Sequence, residues 1–341
     1  DYTLDMSKDD VLKKTSRKGP ATRGPGVTKP RLNKEEMKEG CDLDDDSLKA
    51  MLDGLLHKGA IIVTPSRSTG IDVYTIMPPF PGLFEMTMMR GETGEKEKKL
   101  AALFDKLFDE LTQMIQANYD NVVEVLKTVP PITRVVPVEC EVDMKLDNVM
   151  PYEDAMKIVD KFDTFAVSYC YCRHQKDLIG KPCEVTDEKV NCLIFGRSAR
   201  FMIDYQFAKE ISKEETKRIL KECEEAGLVH KFFHEKNNLE MNEFAICNCC
   251  KCCCGTFELY YRGAAPMATY TSYRAAVDEE LCNGCEVCVD MCPMEAIELV
   301  DDVARINDDK CIGCGVCAYH CSSEAITLER TGIREGFVPP P

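Results

Sequence analysis

The chain has 341 residues, enough for two or three domains with buried cores, and a net charge of −16. That charge opposes binding to bare nucleic acid, whose affinity rests on cations neutralising phosphate. No stretch approaches the roughly 18 apolar residues of a membrane helix, and the first 40 residues lack the apolar core of a secretory signal. A cytoplasmic protein without membrane insertion is therefore expected. In a reducing compartment its 21 cysteines imply metal ligation rather than a disulfide framework.

Residues 1–40 are rich in Gly, Pro and Lys, and positions 11–34 hold eight cations and no acid. They read as a basic flexible arm, which either wraps an acidic partner or is simply solvated. Asp44, Asp45 and Asp46 offer N-cap oxygens to a helix with Leu48, Met51, Leu52 and Leu55 on one stripe. Ile61 to Val63 and the alternating Ile71 to Tyr74 flank a turn and predict a hairpin. Helix followed by hairpin makes residues 41–95 winged-helix-like. The helix is too acidic to suit a DNA groove, so a structural or protein-docking role is expected.

Residues 96–255 read as a Cys-rich α+β central domain. It opens with a helix over 96–117, whose stripe through Leu100, Leu103, Phe104, Leu107, Phe108, Leu111, Met114 and Ile115 predicts a core or subunit-packing face. A strand over 132–138 and a helix from near Tyr152 follow. Ser212 and Glu215 suggest a capping box for a helix ending at Gly227. Leu228 to Phe233 then reads as a strand paired with the segment near Phe244 to Ile246. Residues 256–277 read as a connector. The fold class is thus α+β and multidomain.

The most specific signal lies in residues 278–335. CNGCEVCVDMCPMEAIEL starts at Cys282 and CIGCGVCAYHCSSEAITL at Cys311, and ten of the 18 aligned positions are identical, which marks an internal duplication. Each copy is C-x2-C-x2-C-x3-C, the spacing by which three thiolates in one loop grip a [4Fe-4S] cube while the fourth serves the other cube. Gly284, Gly313 and Gly315 suit tight bends around a cluster, and Ile297, Leu299, Ile326 and Leu328 suit a water-excluding cover. The segment resembles a bacterial-type two-cluster ferredoxin. That resemblance implies one cluster on Cys282, Cys285, Cys288 and Cys321, and another on Cys311, Cys314, Cys317 and Cys292. Ser322 departs from the family, standing where the first copy has Pro293.

Ten further cysteines fall into two groups: Cys170, Cys172, Cys183 and Cys192, then Cys247, Cys249, Cys250, Cys252, Cys253 and Cys254. Both are expected outside helices, and together they are candidates for one or two further iron–sulfur clusters, with Arg173 able to stabilise thiolate or cluster charge. Structural zinc is the alternative. The second group offers a register at Cys247, Cys250 and Cys253 and a competing pair at Cys249 and Cys252, and spacing does not choose between them. His174 is either a Rieske-type ligand or an ordinary hydrogen-bonded histidine. Cys41, Cys140 and Cys223 are isolated and read as structural.

The whole arrangement is similar to multi-cluster iron–sulfur electron-transfer proteins of strict anaerobes. Neither a phosphate-binding G-x-x-x-x-G-K-[ST] loop nor a G-x-G-x-x-G turn is present, and no catalytic residue is identified. The resulting expectation is an electron-transfer subunit of an anaerobic oxidoreductase complex, relaying single electrons between a low-potential carrier and a partner such as a flavoprotein or metalloenzyme subunit. Two alternatives share the cysteines: a redox-sensing winged-helix regulator and a reductive activator of a metalloenzyme. Residues 278–335 hold 14 acids against four bases, so a docking partner with a basic face is expected.

Overall fold

The computed structural model describes residues 31–41, 43–66, 69–128, 133–138, 154–234, 243–269, 271–332 and 336–341. Most of the basic arm, Tyr152, Ile132 and Cys140 lie outside the described residues. The chain divides into two compact units, one ending at Thr87 and the other beginning at Met88.

The first unit contains β1 (Arg31–Leu32), α1 (Lys34–Lys38), α2 (Asp45–His57), β2 (Ile61–Pro65), β3 (Asp72–Ile76) and α3 (Phe84–Met88), whose last residue crosses the boundary. Asp44 caps α2 by accepting from the Ser47 N–H at 2.8 Å. Leu48, Leu52 and Leu56 are its buried stripe, while Met51 faces solvent at 40 % exposure. The hairpin forms as expected, with Val63 opposite Tyr74, and β1 adds to its β3 edge.

The second unit begins with α4 (Glu95–Ala117) and α5 (Tyr119–Thr128). Then come β4 (Thr133–Val136), α6 (Ala155–Asp160), β5 (Phe165–Ser168), α7 (Tyr171–Leu178), β6 (Cys192–Phe195), α8 (Gly196–Asp204) and β7 (Lys209–Ile211). Next are α9 (Lys213–Glu225), β8 (Val229–His234), β9 (Glu243–Cys249) and α10 (Gly255–Tyr261). Among the described residues, six strands form one antiparallel sheet in the order β4-β8-β9-β6-β5-β7. Ser212 caps α9 through the Glu215 N–H at 3.0 Å, and Gly227 at φ +71° ends it, so β8 and β9 can pair as the sequence predicts.

Side chains alternate across this sheet, because successive strand residues point to opposite faces. Leu193, Phe195, Phe165, Val167, Phe232 and Ile246 belong to one core, which α6 and α9 cover with Ile158, Val159, Ile219 and Leu220. Cys192, Ile194, Ala166, Val229, Ala245, Cys247 and Cys249 belong to the other. That second core runs on without a break into the C-terminal repeat through Met294, Ile312, Val316 and Ile326.

The repeat is built from β11 (Tyr273–Val277), α11 (Val287–Met291), β12 (Ile297–Val300), β13 (Val303–Ile306), α12 (Val316–Tyr319) and β14 (Ile326–Arg330). Before it comes β10 (Met267–Thr269), and β15 (Gly336–Val338) closes the chain. The span 256–277 thus carries most of α10 and two strands, and β11 pairs with β14 inside the ferredoxin-like segment. On α4, the stripe read from the sequence splits. Phe104 and Phe108 are buried with Ala101, but Leu103 and Met114 are 54 % and 58 % exposed. Ala101 lies inward because α7 packs closely there, with Gln175 Nε2 donating to the Ala101 carbonyl at 3.0 Å.

Candidate metal centres

In the C-terminal repeat the cysteines of the two copies interleave. Cys292, Cys311, Cys314 and Cys317 line one apolar cavity together with Ile297, Ile306 and Ile312. Cys288, its thiol pushed up by burial, lies within electrostatic reach of Cys285, Cys282 and Cys321. Each copy thus contributes its fourth cysteine to the neighbourhood of the other copy's three.

Close backbone packing is what makes these loops possible. A Cβ on Gly313, at φ +67°, would stand 2.2 Å from the Tyr273 carbonyl oxygen, and one on Gly284 would stand 2.6 Å from that of Asp302. Val138, just past β4, donates its N–H to the Cys314 carbonyl at 3.0 Å and so ties the sheet to this loop. Backbone N–H groups also point at sulfur: Ala296 to Cys292 at 3.3 Å, Ala304 to Cys282 at 3.4 Å and Ala325 to Cys321 at 3.3 Å. Burial pushes the Cys314 thiol up to about 12, so it ionises readily only beside a cation. Interleaved thiols, sulfur-directed N–H groups and an apolar cover fit a pair of iron–sulfur cubes.

The central cysteines sort by sheet face rather than by position in the sequence. Cys247 and Cys249 are two apart on β9 and share the face turned toward the repeat, whereas Cys250 and Cys253 lie in the opposite core. Both registers read from spacing are therefore split, and thiols are shared between the two sequence groups. Three of the cysteines expected outside helices are tied to them: Cys170 is the N-cap of α7, Cys172 lies on α7, and Cys254 is the N-cap of α10.

On the repeat-facing side, the Cys254 thiol interacts with those of Cys172 and Cys249, Cys249 with Cys247, and Cys247 with Cys192. Tyr171 Oη lies 3.5 Å from Cys247 Sγ, and Thr256 Oγ1 lies 3.2 Å from Cys254 Sγ. Lys231, only 3 % exposed, reaches into this group. Its Nζ donates to Thr256 Oγ1 at 2.7 Å and to Met267 Sδ at 3.4 Å, and sits 4.1 Å from the centre of the Phe257 ring. None of those three partners is an anion. A buried ammonium so placed favours thiolates, or a negatively charged cluster, beside it.

On the other face Cys183, Cys250, Cys252 and Cys253 converge, with all four sulfurs within 4.8 Å of one another. Hydrogen bonds from Cys250, Cys252 and Cys253 hold the Cys183 thiol far below its ordinary range. Arg173, fully buried, stands beside this set. It donates to the Glu188 carbonyl at 3.1 Å, to Asn191 Oδ1 at 2.8 Å and to the Asn248 carbonyl, while its Nε has no hydrogen-bond partner among the described residues. Burial opposes its charge, but the interactions with Cys170, Cys250 and Cys183 outweigh burial and raise its pKa. Each thiol group therefore has its own buried cation, of which the sequence reading named Arg173 and missed Lys231. A lone lysine between His230 and Phe232, outside both cysteine groups, carries no metal-site signal.

Cys170 precedes α7, with its N–H donating to the Lys189 carbonyl at 2.6 Å. His174 is 2 % exposed with Nε2 2.8 Å from the Glu92 carbonyl, the hydrogen-bonded arrangement rather than a ligand-like one. Cys223 is buried on α9 and its thiol is pushed up to about 12 by burial, with Asn191 Nδ2 3.6 Å from its sulfur. Cys41 is half-buried in the first unit.

Residues 274–322 match the family model of the 4Fe-4S dicluster domain. The C-terminal segment is such a domain, and the match begins inside β11. Among curated proteins, none matches the chain. No helix among the described residues is long and apolar enough to cross a membrane.

Proposed function

We propose that the chain is an electron-transfer protein in which the two cubes of the dicluster domain exchange single electrons with a third iron–sulfur cluster, held by Cys172, Cys247, Cys249 and Cys254. One observation carries this reading: Cys247, Cys249 and Cys254 share a continuous buried core with Cys288, Cys292, Cys311, Cys314 and Cys317. When bound, the clusters supply one-electron chemistry. The protein's own residues keep water from the thiolates, through Ile297, Ile312 and Phe257, and set the local charge through Lys231.

Cys282, Cys285, Cys288 and Cys321 hold one tail cluster on this reading, and Cys311, Cys314, Cys317 and Cys292 the other. The fold then comprises a winged-helix-like unit, the Cys-rich sheet domain and a ferredoxin-like domain. The acidic tail supports docking on a basic face of a partner oxidoreductase in a cytoplasmic, anaerobic setting, through a weak encounter that salt suppresses.

The test is metal and sulfide analysis of anaerobically prepared full-length protein, with redox-titrated electron paramagnetic resonance. Three cubes give about 12 iron and about 12 acid-labile sulfide per chain, since each holds about four of each. Cys249→Ala lowers both by about four and removes one signal while the tail signals stay. About eight iron in the unmodified protein removes the third cluster from the account.

A further inference from the structure

The four thiols on the helix-covered face of the sheet are spaced differently from what a cube requires. Cys183 Sγ lies 3.6 Å from both Cys250 Sγ and Cys252 Sγ, Cys252 Sγ lies 3.6 Å from Cys253 Sγ, and no pair among the four exceeds 4.8 Å. A single tetrahedral ion with metal–sulfur bonds of about 2.3 Å sets its four thiolates about 3.8 Å apart. A four-iron cube places its ligand sulfurs about 6 Å apart, since each sulfur sits outside its own iron. The observed spacing matches the single ion.

We infer that Cys183, Cys250, Cys252 and Cys253 bind one divalent thiophilic cation, zinc or iron, in a site separate from every iron–sulfur cluster. The chain path suits this. Cys250, Cys252 and Cys253 come from the turn between β9 and α10, and Cys183 from the loop between α7 and β6. One ion therefore ties two segments 67 residues apart in sequence. Four thiolates on a divalent ion leave a net charge of about −2. The fully buried guanidinium of Arg173 lies beside Cys250 and Cys183, and its Nε has no hydrogen-bond partner among the described residues. The site lies in the core opposite the one shared with the dicluster domain, so its role is to fix the two loops.

The inference stands independently of the third cluster, and one measurement separates them. Cubes contain iron and acid-labile sulfide in equal number. Full-length protein prepared anaerobically, with zinc and iron both supplied, is expected to show about one zinc per chain, or about one iron in excess of sulfide. Either result supports the single-ion site and names its metal. Equal iron and sulfide with no zinc overturns it, whatever their total, while the total alone decides the third cluster.

The variant Cys252→Ala provides the second readout. It is expected to lose about one metal atom per chain with sulfide and cluster absorbance unchanged. Loss of about four irons together with four sulfides would make the site a cube, and loss of no metal would remove it. If that variant fails to fold, the iron, zinc and sulfide ratios of the unmodified chain still decide the matter.

Discussion

Lys231 and Cys247 stand directly opposite each other on β8 and β9, on the sheet face that carries the dicluster domain. From there the ammonium reaches Thr256, whose hydroxyl in turn lies against Cys254. A cation fixed beside thiolates stabilises added negative charge, so it favours the reduced form of a cluster bound there. Lys231→Met should therefore shift one midpoint potential to a more negative value and leave both tail midpoints in place. Potentiometric titration followed by electron paramagnetic resonance reads this. Unchanged midpoints throughout would detach Lys231 from any redox centre.

The glycines of the repeat give a paired prediction about backbone space. Gly313 and Gly332 both have positive φ, at +67° and +87°, but of the two Gly313 has backbone pressed against it, whereas no described residue lies within 4 Å of a Cβ on Gly332. Gly332→Ala should cost about 1 kcal/mol from conformational strain alone. Gly313→Ala adds a collision with the Tyr273 carbonyl. It should cost more than ~2 kcal/mol and lower the iron bound to the tail by about four atoms. Thermal unfolding with iron analysis checks both, and equal effects of the two variants would contradict the packing argument.

An ion cluster fastens α4, α7 and α10 around the central thiols. Lys176, whose side chain is 5 % exposed, donates to Asp105 at 2.9 Å and to Glu258 at 2.8 Å, and Arg262 joins Glu258 to Asp109. Removing Lys176 leaves Asp105 held by the exposed Lys181 and Glu258 held by Arg262, so Lys176→Met should destabilise by less than about 3 kcal/mol, the cost of a buried charge left with no partner.

The pH dependence of this cluster follows from the shifts. Burial opposes the Asp105 charge, but the hydrogen bonds and charges of Lys176 and, less strongly, Lys181 outweigh it and lower its pKa from 3.8. Its contribution is therefore present above 3.8 and lost as pH falls through the lower folded value. Burial likewise opposes the Lys176 charge, but Glu258 and Asp105 raise its pKa from 10.5, so its contribution is full below 10.5 and lost as pH rises through the higher folded value. Denaturant melts across pH should show the wild-type advantage over Lys176→Met shrinking at both ends and flat between. An advantage independent of pH would contradict it.

The sequence made the dicluster domain legible because its cysteines lie in short, duplicated loops, where spacing alone carries the pattern. The β8–β9 hairpin and the Ser212 cap were legible for the same reason, being local. The central sites were not. Residues 247 to 249 end strand β9, whose alternation sends Cys247 and Cys249 one way, and the chain then turns, sending Cys250 and Cys253 the other. Spacing counted along the sequence cannot register that change. Cys183 meets Cys250 only through the fold of the loop after α7, and Lys231 joins Thr256 and Cys254 only once β8 has paired with β9. On α4, Leu103 and Leu107 share the helical period of Phe104 and Phe108 but lie on the solvent side, since period alone does not say which flank of a broad apolar stripe meets the core.

The central claim is that the duplicated tail holds two cubes close enough to pass single electrons. Electron paramagnetic resonance of the fully reduced, anaerobically prepared chain tests it most directly. Two reduced clusters in such proximity should give a spectrum broadened by magnetic interaction between them, integrating to about two spins from the tail and surviving in Cys249→Ala. A colourless preparation, or a reduced form with no signal, would contradict the account.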